Sequence, residues 1–78
     1  MINTPDRTAI YEHYRSHLFG VAYRMLGTVS DAEDIVQEAF LRWQDAPDDI
    51  DSPKAYLTTI VSRLALDTLR AARTTRET

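Results

Sequence analysis

Apolar residues recur along this chain at every third or fourth position, and nowhere do they alternate cleanly with polar ones. The first spacing keeps a row of side chains on one face of an α-helix; alternation would mark a strand. Glycine occurs only at 20 and 27, and proline only at 5, 47 and 53, so the helical pattern is cut into three segments.

The first segment is expected to start at Thr4 and Pro5, a capping hydroxyl followed by a residue suited to the first helical position. Ile10, Tyr14, Leu18, Val21 and Met25 form its stripe, and Gly27 ends it. Gly20 sits mid-helix, which costs about 1 kcal/mol against alanine, and close approach of a neighbouring helix is one reason to keep it. The second segment opens with "SDAE", where Ser30 and Glu33 have the spacing of a capping box. Asp31, Glu33 and Asp34 fall near the positive end of that helix dipole. This helix should run to about Gln44, before Pro47. The third segment opens with Ser52 as cap and Pro53 in first position. Leu57, Ile60, Val61, Leu64, Thr68 and Ala71 line one face, and the helix is expected to fray within "ARTTRET". The connection "DAPDDIDS" is short and acidic. These elements predict an all-α fold: a compact bundle of three to four helices with short loops, its sequence neighbours antiparallel, in one domain over 1–78.

Composition narrows the class. The chain is 44% hydrophobic and 27% charged, which suits a packed domain rather than a disordered one. With 78 residues it is one domain at most, and a chain of that size buries only about 60% of its unfolded surface. It has no cysteine, so it has neither disulfides nor thiolate metal sites. It has no apolar run of membrane-spanning length and no signal-peptide core at its start, so a cytoplasmic setting fits. Charge is split along the chain: ten acids face four bases over residues 1–53, and five bases face two acids over residues 54–78. An acidic body with a basic tail suits two partners of opposite sign.

Turning each residue by about 100° around the helix axis sharpens this split. In the second helix Ala32, Ile35, Val36, Ala39, Phe40 and Trp43 share one arc. Glu33, Asp34, Gln37 and Glu38 share the other, with Leu41 in their midst. Capping accounts for the early acids but not for Glu38 or Leu41. One reading is a solvated face with a single exposed leucine. The other is a docking face, an apolar anchor ringed by carboxylates, suited to a basic helical partner. In the third helix Thr59, Arg63 and Arg70 share a face, with Ser62 and Arg73 beside it and Tyr56 at its start. Hydroxyls and guanidiniums in a row suit phosphate and base-edge contacts, and an aromatic ring suits stacking on an unpaired base. Asp67 is spaced to pair with Arg63 and Arg70. The competing reading is a solvated face with a few ion pairs.

"DAEDIVQEAFLRW" followed by "SPKAYLTTIVSRLALDTLR" resembles the second domain of bacterial sigma-70-family initiation factors, and within them the extracytoplasmic-function (ECF) group. The likeness covers roughly Tyr11 to Arg73, and the second motif also looks like the subgroup with a C-terminal SnoaL-like extension. The resemblance implies a partner, RNA polymerase core, met through the coiled coil of its clamp by Asp34, Gln37, Glu38 and Leu41. It implies a second partner, the non-template strand of the minus-10 promoter element, met by Tyr56, Thr59, Ser62, Arg63, Arg70 and Arg73. An anti-sigma protein or an appended regulatory domain would be a further partner. Tyr56 stands where many members carry tryptophan, and Arg63 where many carry asparagine. The loop "DAPDDIDSPK" is shorter and more acidic than in many relatives, where it holds a flipped base, so a base-capture pocket is in question here. The fourth domain is absent from the 78 residues, which suggests a fragment that does not direct transcription alone.

His13 and His17, one helical turn apart, are the candidate metal pair, but the chain has no cysteine and no Glu-x-x-His pairing to support a dimetal bundle. No nucleophile or phosphate loop accompanies the carboxylates, so the expectation is no enzyme and no cofactor. The alternative function is a helical protein-interaction module with an acidic docking face and no DNA binding.

Overall fold

The computed structural model describes residues 6–77, with side chains through Arg73. It has three α-helices: α1 (Arg7–Leu26), α2 (Val29–Gln44) and α3 (Pro53–Glu77). Each packs on both others, and no strand occurs among the described residues, so the fold is the expected all-α bundle with three members. The helices run up, down and up. Arg7 at the start of α1 meets Trp43 at the end of α2, and His17 of α1 lies beside Thr58 of α3. No described helix is long and apolar enough to cross a membrane.

The helix ends differ from expectation at two places. Thr4 and Pro5 lie outside the described residues; α1 starts at Arg7, with the Asp6 carboxylate accepting from the Thr8 amide. Gly27 ends α1 in the left-handed region at φ 85°, and its N–H donates to the Tyr23 carbonyl. Only Gly27 and Thr28 separate the first two helices, so α2 must begin at once. Its cap is therefore Thr28, whose hydroxyl accepts from the Asp31 amide at 3.1 Å, and Ser30 and Glu33 already lie inside the helix. The Ser30 capping box is thus replaced by Thr28 with Asp31 in the first turn. α3 starts as expected: Ser52 Oγ accepts from the Ala55 amide and Pro53 follows. It runs to Glu77, inside the terminal stretch where its end was expected, and no glycine or proline interrupts it after Pro53.

One apolar cluster joins the helices. From α2 it takes Ala32, Ile35, Val36, Ala39 and Trp43, with Phe40 half-buried, which is the arc expected from the periodicity. From α3 it takes Leu57 and Val61, with Ile60 and Leu64 packed against it; Ala65 is also fully buried. Thr68 is half-buried and turns its hydroxyl back to the Leu64 carbonyl, and Ala71 is exposed, because α3 has by then outrun its neighbours. In α1 the deepest residues are Tyr11, Leu18 and Ala22, while Ile10, Tyr14, Val21 and Met25 are half-buried. The buried line passes one position beyond the expected stripe at both Tyr11 and Ala22. Tyr11 can be buried because its hydroxyl donates to the Val36 carbonyl and its ring meets the edge of Phe40 at 5.0 Å. Burial pushes that phenol up to about 12, so it remains a neutral donor at ordinary pH.

The acidic connection folds back on this core. Ala46 is buried and Ile50 half-buried, while Asp45, Asp48, Asp49 and Asp51 point to solvent. Arg7, unremarked in the pattern, fastens it. Its guanidinium donates to the carbonyls of Trp43 (2.6 Å), Ala46 and Pro47 (3.0 Å) and pairs with Asp48 at 2.9 Å. It also lies 5.1 Å from the centre of the Trp43 ring, whose Nε1 donates to the Arg7 carbonyl at 2.8 Å.

Gly20 has no close neighbour. A methyl built there meets only the tip of Arg24, at 4.0 Å, so the expected tight helix crossing is absent. Its cost is then purely one of backbone freedom. Gly20→Ala is expected to raise unfolding free energy by about 1 kcal/mol. Thermal melting would show this as a rise of about 4–8 °C.

Candidate docking and nucleic-acid surfaces

The periodicity that drives one arc of α2 inward leaves the other wholly outside. Asp31, Glu33, Asp34, Gln37, Glu38 and Leu41 are all exposed, and Leu41 is the most open large apolar side chain described, at 58%. The four docking candidates Asp34, Gln37, Glu38 and Leu41 therefore share one solvent-facing strip. Glu38 Oε2 accepts from Arg42 Nε at 3.2 Å within the helix. Both partners are about half exposed, at 46% and 58%, so the pair is readily exchanged for another.

The candidates on α3 divide into two groups. Tyr56, Thr59 and Arg63 line a groove of about 550 Å³ with Ile50, Asp51 and Ser52 of the preceding connection and with Ala55 and Ile60. Tyr56 is half-buried, its ring 6.0 Å from that of Trp43, so the core fixes its position while it still borders the groove. Thr59 and Arg63 are exposed. Ser62 is half-buried outside the groove, and Arg70 and Arg73 are exposed on the part of α3 that outruns the core. Asp67, on the same exposed stretch, makes no ion pair with Arg63 among the described residues. Sequence spacing placed Thr59, Arg63 and Arg70 on one face, but it did not bring Ile50 to Thr59 and Arg63. That contact depends on how the connection folds back.

Such a groove has an apolar floor, hydroxyls at its mouth and a guanidinium at its edge. It can take a flat ring against Ile50, Ile60 and Tyr56 and hold a phosphate at Arg63.

The histidine pair gathers no site. The His13 ring meets the edge of Tyr14 at 4.7 Å, and His17 Nε2 lies 3.4 Å from Thr58 Oγ1. No group of three or more metal-binding side chains occurs among the described residues.

Comparison with known proteins gives the family. The family model Sigma-70 region 2 matches residues 10–75. The chain is 64% identical over 69 residues to the ECF RNA polymerase sigma factor SigJ of Mycobacterium tuberculosis (strain ATCC 25618 / H37Rv), covering 87% of this chain and 22% of SigJ. It is 44% identical over 71 residues to the probable ECF RNA polymerase sigma factor SigI of Mycobacterium tuberculosis (strain CDC 1551 / Oshkosh), covering 90% of this chain and 24% of SigI. To the ECF RNA polymerase sigma factor SigW of Bacillus subtilis (strain 168) it is 38% identical over 64 residues, 78% of this chain and 34% of SigW. The chain thus spans a minor part of the length of the curated relatives it matches. No solved structure gives a significant match.

Proposed function

The chain belongs to the sigma-70 region 2 family, and from that premise we propose that it serves an ECF RNA polymerase sigma factor in transcription initiation by two contacts. The acidic strip of α2 docks on the clamp coiled coil of the polymerase core. The groove and exposed face of α3 engage the non-template strand of the minus-10 element. The chain's part is binding and strand selection, and the chemistry belongs to the polymerase.

The observation that carries this reading is the strip Asp34, Gln37, Glu38 and Leu41, all exposed on a helix whose other arc is buried. A carboxylate cluster around an open leucine suits a basic helix with an apolar residue at its centre. Strand contact rests on the groove at Tyr56, Thr59 and Arg63, which keeps room for a base despite the short acidic connection. A net charge of −3 means that this contact is weak without the polymerase to hold the domain in place.

Strand engagement is tested by replacing Arg63 and Arg70 together with alanine. The double variant is expected to bind promoter single strand at low salt roughly tenfold more weakly, and its salt dependence should flatten by between one and two units of slope. Affinity for the polymerase core should not change. Equal affinity of variant and wild type for the strand would remove DNA from the reading and leave a helical protein-interaction module.

A further inference from the structure

The connection that closes one side of the α3 groove is held from outside. Among the described residues, the hydrogen bonds of residues 47–51 all run to Arg7, from the Pro47 carbonyl and the Asp48 carboxylate. Asp45, Asp48, Asp49 and Asp51 stand within seven residues, and like charges at that density favour an open chain. Yet Ile50 is half-buried and borders two hollows at once. One is the groove of about 550 Å³ with Tyr56, Thr59 and Arg63. The other, of about 480 Å³, is lined by Arg7, Ile10, Trp43 and Pro53. Arg7 therefore sits behind the wall whose front faces the groove.

The same residue supports the opposite wall. Its guanidinium lies 5.1 Å from the centre of the Trp43 ring, and Trp43 Nε1 donates to the Arg7 carbonyl at 2.8 Å. The Trp43 ring lies 6.0 Å from that of Tyr56, which borders the groove. One side chain of α1, itself outside the groove, thus touches what sets both walls. A planar fork of N–H donors can serve several carbonyls at once, whereas an ammonium cannot.

We propose that Arg7 is a positioning residue for strand engagement: it holds Ile50 against α3 and so keeps the groove shaped for a base before the strand arrives. This rests on the strand-binding reading of the groove. Arg7 acts through the connection and through Trp43, not by touching the strand. A wall set in advance spares the ordering of the connection on binding, and that saving appears as affinity for a strand that carries bases. Phosphate contacts along α3 need no such wall, so affinity for a backbone without bases is independent of the fork.

The test titrates the 78-residue chain at low salt. The probes are two fluorescein-labelled single DNA strands of about twelve nucleotides, one of random sequence and one abasic throughout. Wild type is compared with Arg7→Lys, Arg63→Ala and Ile35→Val. Arg7→Lys keeps the charge, so the pull on phosphates is preserved. Ile35→Val loosens the core on α2 without touching the connection or the groove. Each variant is melted thermally, and binding is read well below the lowest melting temperature. Arg7→Lys is expected to bind the random strand roughly fivefold more weakly, and the abasic strand as wild type does. Ile35→Val should match wild type on both strands, and Arg63→Ala should weaken both. Wild-type affinity of Arg7→Lys for the random strand, with loss in Arg63→Ala, would overturn the positioning role and keep the strand reading. Equal weakening by Arg7→Lys and Ile35→Val would reduce the effect to a loosened fold and overturn it. Equal weakening of the two strands by Arg7→Lys would overturn it too, since the groove would then not be the site of the loss. No saturable binding of the random strand by wild type would overturn both this proposal and the strand reading.

Discussion

Arg7→Ala is expected to remove about 3 kcal/mol of stability, the largest loss of any single surface-reaching side chain in this fold. The guanidinium donates to three carbonyls in the last turn of α2 and just beyond it, at Trp43, Ala46 and Pro47. The Trp43 oxygen also accepts from the Ala46 amide, but the Ala46 and Pro47 oxygens lie past the helix end, so truncation leaves the part-buried Ala46 oxygen without its guanidinium donor beside Trp43. The stacked contact with the Trp43 ring is lost with it, at about 0.5–1 kcal/mol. The Asp48 carboxylate is fully solvated, so its ion pair with Arg7 adds little, and Asp48→Asn should leave stability nearly unchanged. A domain of this size has of order 5 kcal/mol in total. Arg7→Ala would therefore shift the folded-to-unfolded ratio by roughly a hundredfold.

Urea unfolding checks this with two probes. Far-ultraviolet circular dichroism reads the helices, and fluorescence reads Trp43, the sole tryptophan of the chain, which sits at the latch itself. Both midpoints should fall together. Arg7→Lys should recover less than half of the loss, because an ammonium group cannot reach several carbonyls with a planar fork. Full recovery by lysine would show that charge near the end of α2, rather than the fork, is what matters.

Arg7 also illustrates where sequence reading reaches its limit. Its partners lie about 40 residues away and are backbone oxygens, which leave no mark in a pattern of side chains. The α2 arc was legible in full, because a helix with one buried and one solvated side repeats its signal over four turns. The α1 stripe was displaced because that helix packs on two neighbours, and because Tyr11, polar at one end, finds a carbonyl acceptor on α2. The cap of α2 was misplaced because Thr28 and Ser30 both precede an acid by three residues. Only the tightness of the Gly27 turn decides between them. On α3 the spacing found Thr59 and Arg63, but the groove needs Ile50, brought in by the connection.

Glu38→Lys is expected to weaken binding to the polymerase clamp coiled coil by about thirty- to a hundredfold, the cost of turning an attractive charge contact into a repulsive one. Folding should barely notice. Glu38 is 46% exposed in its side chain and its pair with Arg42 is a solvated i,i+4 contact, so the substitution costs less than about 1 kcal/mol of stability. The two effects separate cleanly, because a melting curve close to wild type excludes unfolding as the cause of lost affinity. Arg42→Ala supplies the opposite control. It removes the intrahelical partner of Glu38 without touching the carboxylate, so affinity for a basic hairpin should hold or rise. Leu41→Ala removes the apolar centre and leaves every charge, and it should lower affinity with little change in salt dependence. If Glu38→Lys and wild type titrate alike, the strip is a solvated helix face after all. If Arg42→Ala weakens binding as much as Glu38→Lys does, the ion pair positions the carboxylate, and the strip is organised before the partner arrives.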